Sequence, residues 1–175
     1  MAFTSTKKLV QDYTIIDLET SGLYPASCEI IELAALKIRG DQVVDEFQSL
    51  VKPKIAVSSF ITNLTRIDNR MLRSAPPIEQ VMDDYLDFLG DDVLIGHNIR
   101  FDLGFLEANT SDLAARYLDT MTLSRKVHRY EKRHRLQDVC ERYSIVNDSA
   151  HRALGDCRAT FACYLKLKEA LLAES

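Results

Sequence analysis

The chain has 175 residues and a mass of 19.9 kDa, enough for one ordinary domain with a core of its own. Hydrophobic residues make up 46% and charged residues 27%, a balance that excludes a disordered tail, a fibrous repeat and a small disulfide scaffold. The formal net charge is −4, so a polyanionic partner would have to be held locally or through bound cations.

No apolar block follows the charges of the first ten residues, and no run approaches the roughly 20 residues of a membrane helix. Neither a signal peptide nor a membrane contact is expected, and the expected location is cytoplasmic. Residues 12–19, DYTIIDLE, read as a strand with an apolar centre. Residues 29–39 and 42–51 read as two more strands, joined by the two-residue turn Gly40-Asp41 and stopped by Pro53. The polar stretch 58–74 predicts two short helices. Pro76-Pro77 opens a helix through Leu89 with Ile78, Val81, Met82, Tyr85 and Leu89 as its apolar stripe, and Gly90 closes it. DVLIGHN (92–98) reads as a buried strand, after which Asn98 can cap a helix through Asn109. A short strand at 116–120, helices at 121–130 and 135–143, and a last helix over 153–173 complete the chain. A hairpin-linked set of strands followed by alternating strands and helices predicts one α/β domain over residues 1–175, with a sheet antiparallel at first and parallel later.

Asp17-Leu18-Glu19 is the strongest local signal. Residues i and i+2 of a strand share a face, so both carboxylates project together from the end of a strand flanked by Ile15 and Ile16. Burying two like charges is costly unless a cation neutralises them; an edge strand with a solvated acidic face is the plainer alternative. In Gly96-His97-Asn98-Ile99-Arg100-Phe101-Asp102 a strand ends, a helix begins, and Asp102 falls in the first turn, where an acid is also favoured by the helix dipole. His97 stands where α/β proteins bind ligands, or is a satisfied structural histidine. In His151-Arg152-Ala153-Leu154-Gly155-Asp156 the acid starts the last helix. His151, five residues earlier, would lie about 140° away on a continued helix, which places it on the preceding loop.

Four carboxylates at element ends, Asp17, Glu19, Asp102 and Asp156, are hard oxygen donors that suit Mg²⁺ or Mn²⁺ and not zinc. Two such ions are the usual device for in-line displacement at phosphorus, and a histidine is suited to take a proton from water near neutral pH. The four cysteines, Cys28, Cys140, Cys157 and Cys163, form no C-x-x-C pair and read as reduced, mostly buried thiols.

The order Asp-x-Glu-Thr, H-N-x-x-x-D, H-x₄-D resembles the three exonuclease motifs of the DnaQ-like 3′–5′ exonucleases, in the DEDDh subgroup. IIELAAL (30–36), FITNLTRID (60–68) and HRLQDVCERYSI (134–145) resemble further segments of that family, so the likeness spans nearly the whole chain. Within the family it is similar to the bacterial polymerase III proofreading subunit and the exonuclease domain of PolC-type polymerases. The resemblance implies a ribonuclease H-like fold with a five-stranded mixed sheet. It implies two metal ions on Asp17, Glu19, Asp102 and Asp156, with His151 as general base. Thr20, Gly22 and Leu23 would border the terminal nucleotide, Ile61 and Leu64 would pack on its base, and Asn98 and Phe101 would line the pocket. The implied activity is release of nucleoside 5′-monophosphates from DNA, with single-stranded 3′ ends preferred. RNA ends or short oligoribonucleotides, and a non-catalytic binding module, are the alternatives. Either a freestanding enzyme or one docked on a DNA polymerase is open, and the lack of a polymerase domain or tether favours the first.

Ser21 and Cys157 depart mildly from the family pattern, and Asn63 stands in place of a glycine, where it is expected to keep a left-handed turn. Asp119-Thr120 reads as the cap of the next helix, with a further site acid as the alternative. The run RKVHRYEKRHR (125–135) holds six Lys/Arg against one Glu; it could grip phosphates or be a solvated surface, and Tyr130 could stack on a base.

Overall fold

In the computed structural model, which describes residues 3–173, the run around Ile15 forms β2 (Tyr13–Thr20) at the middle of the sheet. β2 pairs antiparallel with β3 (Ile30–Arg39), which pairs antiparallel with β4 (Gln42–Leu50). On its other side β2 runs parallel to β5 (Leu94–Gly96), and β5 to β6 (Arg116–Asp119). The sheet has six strands, one more than expected. The addition is β1 (Thr4–Ser5), parallel to β6 at the edge; two residues are too few to show any period in sequence.

Period-two alternation sends neighbouring side chains of β2 to two different cores. Tyr13 and Ile15 pack with the helices α6 (Leu136–Arg142) and α7 (Ala153–Ala173), while Ile16 and Leu18 pack with α3 (Ile78–Leu89) and α4 (Arg100–Asn109). A third, smaller cluster joins Ile31 to α1 (Ser59–Thr65) and α2 (Asn69–Arg73). The remaining helix, α5 (Thr120–Val127), stops three residues short of the predicted end.

Gly40 (φ 56°) and Asp41 (φ 58°) both take the left-handed backbone that a two-residue hairpin requires. The Asp41 carboxylate then receives Lys168 Nζ at 2.7 and 3.0 Å, pinning the far end of α7 to the hairpin. Gly96 permits a close crossing, since a Cβ there would lie 3.2 Å from the Ile16 carbonyl oxygen and 2.9 Å from Ile99 Cγ1.

Two local expectations are corrected. Asn98 does not cap α4: it is left-handed (φ 62°), Ile99 holds the cap position, and no side chain caps that end. Asn63 lies inside α1; the left-handed residue is Arg66 (φ 61°), whose N–H closes the helix on the Thr62 carbonyl. A non-glycine residue pays for that conformation in Cβ strain. Arg66→Gly is therefore expected to raise stability by a few tenths to about 1 kcal/mol in denaturant unfolding, and a loss of stability would show that the arginine side chain is itself holding the turn.

Candidate active site

Asp17 and Glu19 point from β2 toward α7, and Asp156 in the first turn of α7 points back. One carboxylate oxygen of each lies within 4.8 Å of the others, the one such acidic group among the described residues. Asp102 stands behind this triad. Beyond Ile15, β2 loses its β5 partner, and the buried Asp102 carboxylate takes the Leu18 N–H at 3.0 Å where the strand would have continued. All four acids cluster as the sequence predicts, with three converging directly and Asp102 set one hydrogen bond back.

Burial raises every one of these carboxyl groups, and neighbouring acids compound it at Asp17 and Glu19. Asp17 is held well above the ordinary carboxylate range by burial, then by Asp102 and Asp156. Glu19 is pushed up to about 8 by burial, then by Asp156 and Glu32, against the pull of Arg152. Asp102 and Asp156 are raised by burial too. The Leu18 N–H opposes the shift at Asp102, and the Asn147 amide (2.7 Å) and His151 N–H (3.1 Å) oppose it at Asp156. A converging all-oxygen donor set that resists ionisation fits a hard divalent cation, which would supply the missing positive charge.

His151 sits on the loop before α7, as the angular argument requires. It is exposed and left-handed (φ 63°), and its ring makes no hydrogen bond within the described residues, so it is free to turn toward solvent and substrate. That loop is fixed by a residue the sequence reading passed over. Glu32 lies opposite Glu19 on β3 and is fully buried. Its carboxylate accepts from Arg152 Nη2 (2.7 Å), Arg152 Nε (3.2 Å), the Ala153 N–H (3.0 Å) and Gln48 Nε2 (2.8 Å). The signal available was a single charge inside the apolar run IIELAAL. Gly155 completes the fit, because a Cβ there would lie 2.5 Å from the Ser149 carbonyl oxygen.

The chain matches the exonuclease model RNase_T over residues 14–164. It is 37% identical over 171 residues to the PolC-type DNA polymerase III of Caldanaerobacter subterraneus and 35% over 176 residues to that of Bacillus subtilis. These matches take in 95% and 96% of this chain. The chain belongs to the exonuclease family. It is an exonuclease domain of the DnaQ/PolC type, a class of 3′–5′ nucleases, and it spans about 12% of the length of those polymerases. Among solved structures, the nuclease domain of 3′hExo bound to rAMP, a DEDDh family member, shares the fold with a TM-score of 0.80 over 94% of both chains at 19% identity. Exonuclease X in complex with 5′-overhanging duplex DNA gives 0.72 over 93% of both chains at 24% identity.

In this exonuclease the remaining predicted residues fall into two sets. Thr20, whose hydroxyl donates to the Gly22 carbonyl at 2.7 Å, leads from the acids into a turn where a Gly22 Cβ would meet Cys28 Sγ at 2.5 Å. Leu23 is 70% exposed and Leu64 39%, so both are open to a ligand. Ile61 and Phe101 are turned mostly inward, Ile61 to Ile31 and Ile67, Phe101 to Phe105 at 5.1 Å between ring centroids. Asn98 donates its N–H to Asp119 Oδ1 at 2.8 Å, and Asp119 caps α5 through the Met121 N–H; it adds no acid to the triad. His97 is a satisfied structural histidine. Nε2 donates to the His134 carbonyl at 2.7 Å, Nδ1 lies 2.9 Å from the Thr120 hydroxyl, which also reaches the Gly96 carbonyl at 3.1 Å, and burial lowers the ring's pKa.

The raised carboxyl groups set a sign for stability. Their folded pKa values lie above the unfolded ones, near 4, so the metal-free folded chain holds protons that the unfolded chain releases. That contribution is complete below about pH 4 and is lost as pH rises through about 8, the value reached by Glu19. In EDTA the thermal midpoint is expected to fall between about pH 5.5 and pH 8.5, and Mg²⁺ to narrow the gap. A metal-free midpoint that instead rises over this range, or Asp17→Asn leaving the fall unchanged, contradicts the assignment. Separately, Gly155→Ala is expected to push the 147–151 loop off Asp156 and weaken Mg²⁺ binding by tenfold or more in calorimetry, and wild-type affinity in that variant would show the contact to be slack.

Proposed function

We propose that residues 1–175 form a single exonuclease domain that hydrolyses phosphodiester bonds from the 3′ end of DNA, preferring single-stranded ends and releasing nucleoside 5′-monophosphates. The convergence of Asp17, Glu19 and Asp156, with Asp102 directly behind, is the observation that carries this reading. Similarity to DNA polymerases, and not to RNA-processing proteins alone, supports DNA as the substrate.

Asp17, Glu19, Asp102 and Asp156 would hold two divalent ions, Mg²⁺ or Mn²⁺, which would supply charge neutralisation at the phosphodiester and acidify a water. The chain's own groups do the rest. His151, at the mouth of the triad with a free ring, accepts the proton of that water. The Glu32–Arg152 pair and the Ala153 N–H keep the His151 loop in register with Asp156. Thr20, Gly22 and Leu23 border the terminal nucleotide; Leu64 presents an apolar edge to its base with Ile61 packed behind it, and Asn98 and Phe101 close the pocket.

The test is digestion of 5′-labelled single-stranded DNA, duplex DNA and RNA with Mg²⁺ or Mn²⁺. A ladder shortening from the 3′ end, fastest on single-stranded DNA, is expected; EDTA and Asp17→Ala should each abolish it. Activity surviving EDTA would remove the metal assignment. His151→Ala is expected to lower turnover about 10²–10⁴-fold while retaining metal affinity. Near-normal turnover would assign the base elsewhere, and lost metal affinity would make His151 a ligand.

A further inference from the structure

The basic run is built onto the active site. His97, just past the end of β5 beside β2 and five residues before Asp102, donates a ring N–H to the His134 carbonyl at 2.7 Å. The His134 ring is held in turn 2.9 Å from the Ser124 hydroxyl. From beneath, Arg142 donates to the Arg133 carbonyl, and its Nη1 is buried without an acceptor. The segment from α5 to α6 is therefore braced at three points beside the acids, even though much of it carries no regular structure.

The cations it presents are not held in ion pairs. Arg125, Lys126, Arg129, Lys132, Arg133 and Arg135 are all exposed, and none is in an ion pair among the described residues. The acids that share the segment are occupied: Glu131 lies 3.7 Å from Arg142, and Asp138 accepts the Arg135 N–H at 2.9 Å. Tyr130 is 85% exposed, and the Arg129 guanidinium sits over its ring 4.8 Å from the centroid. Beside them lies an open depression of about 660 Å³ walled by Tyr130, Lys132, Arg133 and Arg142 and by the carboxylates of Glu131, Asp138 and Glu141. Six exposed cations without an ion pair in a chain of net charge −4, next to an aromatic ring with Arg129 over one face, match an unpaired polyanionic strand: phosphates for the cations, a base for the ring.

We infer that the 125–135 segment is the track along which the single-stranded DNA upstream of the scissile bond runs, with Arg129 and Arg133 on its phosphates and Tyr130 stacked on an unpaired base. This rests on the nuclease reading above and deepens it. A short duplex end offers the phosphates but no free base, so Tyr130 is the element that favours single strands.

Binding is measured apart from cleavage, by fluorescence anisotropy of a labelled single-stranded oligodeoxynucleotide with Ca²⁺ in place of Mg²⁺, over a series of salt concentrations. The double reversal Arg129→Glu/Arg133→Glu is expected to weaken binding tenfold or more and to reduce the slope of log affinity against log salt by about two. Turnover of the p-nitrophenyl ester of thymidine 5′-monophosphate, which has no upstream strand, is read in parallel. The loss of oligonucleotide affinity should exceed any change on the ester by at least tenfold. Tyr130→Ala should weaken single-strand binding about fivefold or more, with Tyr130→Phe restoring it. Unchanged affinity and slope in the double reversal overturn the track, as does an equal loss on the ester, which would make the segment a brace for the active site alone. Wild-type single-strand affinity in Tyr130→Ala overturns the stacking and with it the single-strand preference. A wild-type chain that binds the strand as described but cuts nothing would sink the nuclease reading and leave the track standing.

Discussion

Mutual repulsion among carboxylates on a buried strand end is the constraint around which this molecule is organised. Asp17 and Glu19 share a face of β2, and Asp156 and Asp102 are brought up to them by two helices that pack on opposite sides of the sheet. Each group is desolvated, and Asp102 and Asp156 further raise Asp17 and Glu19, so the metal-free site tends to hold protons instead of charge. Such an arrangement persists because it is over-determined elsewhere. Two separate hydrophobic clusters, one on each face, are anchored by alternate residues of the strand that carries the acids.

Asymmetry between the four acids follows from the way β2 ends. Its parallel partner β5 is only three residues long, so the last N–H groups on that side face the start of α4 and not another strand. Asp102 fills the gap by accepting from Leu18, which fixes its carboxylate and leaves one oxygen beyond that bond. Asp156 is constrained differently, through the Asn147 amide and the His151 N–H. One acid is therefore tied to the rigid sheet and the other to the loop that carries the exposed histidine. Any movement of that loop changes the distance between them.

Glu32 explains how the loop is kept in place. A fully buried carboxylate beside an acidic triad would add to the repulsion if it stood alone. With four donors around its two oxygens it becomes the anchor for Arg152 and for the first N–H of α7. The same Arg152 lowers the cost of ionising Glu19. At the far end α7 is held by Lys168 on Asp41, so a 21-residue helix is fixed by ion pairs at both ends and by Tyr164 and Leu167 between.

Local rules reach a long way in this sequence. The strand pair around Gly40-Asp41, the helix between Pro77 and Gly90, the shared face of Asp17 and Glu19 and the place of His151 on a loop all follow from periods of 2 and 3.6 and from turn chemistry, which act over a few residues. The same rules misplace the left-handed residues at Asn63 and in the capping role of Asn98, because which residue takes positive φ depends on how the segment docks as well as on side-chain type. They cannot see β1, which is strand only because β6 lies beside it. Above all they do not reach the union of residues 17, 102 and 156, or the grip of Glu32 on Arg152 across 120 positions. Those contacts require long loops to close, and what closes them is strand register and the packing of α4 and α7 on opposite faces of the sheet. The sequence by itself singled out the four acids and the histidine; the tertiary structure alone decided that three of the acids meet, that the fourth stands one hydrogen bond behind, and what holds the histidine's loop against Asp156.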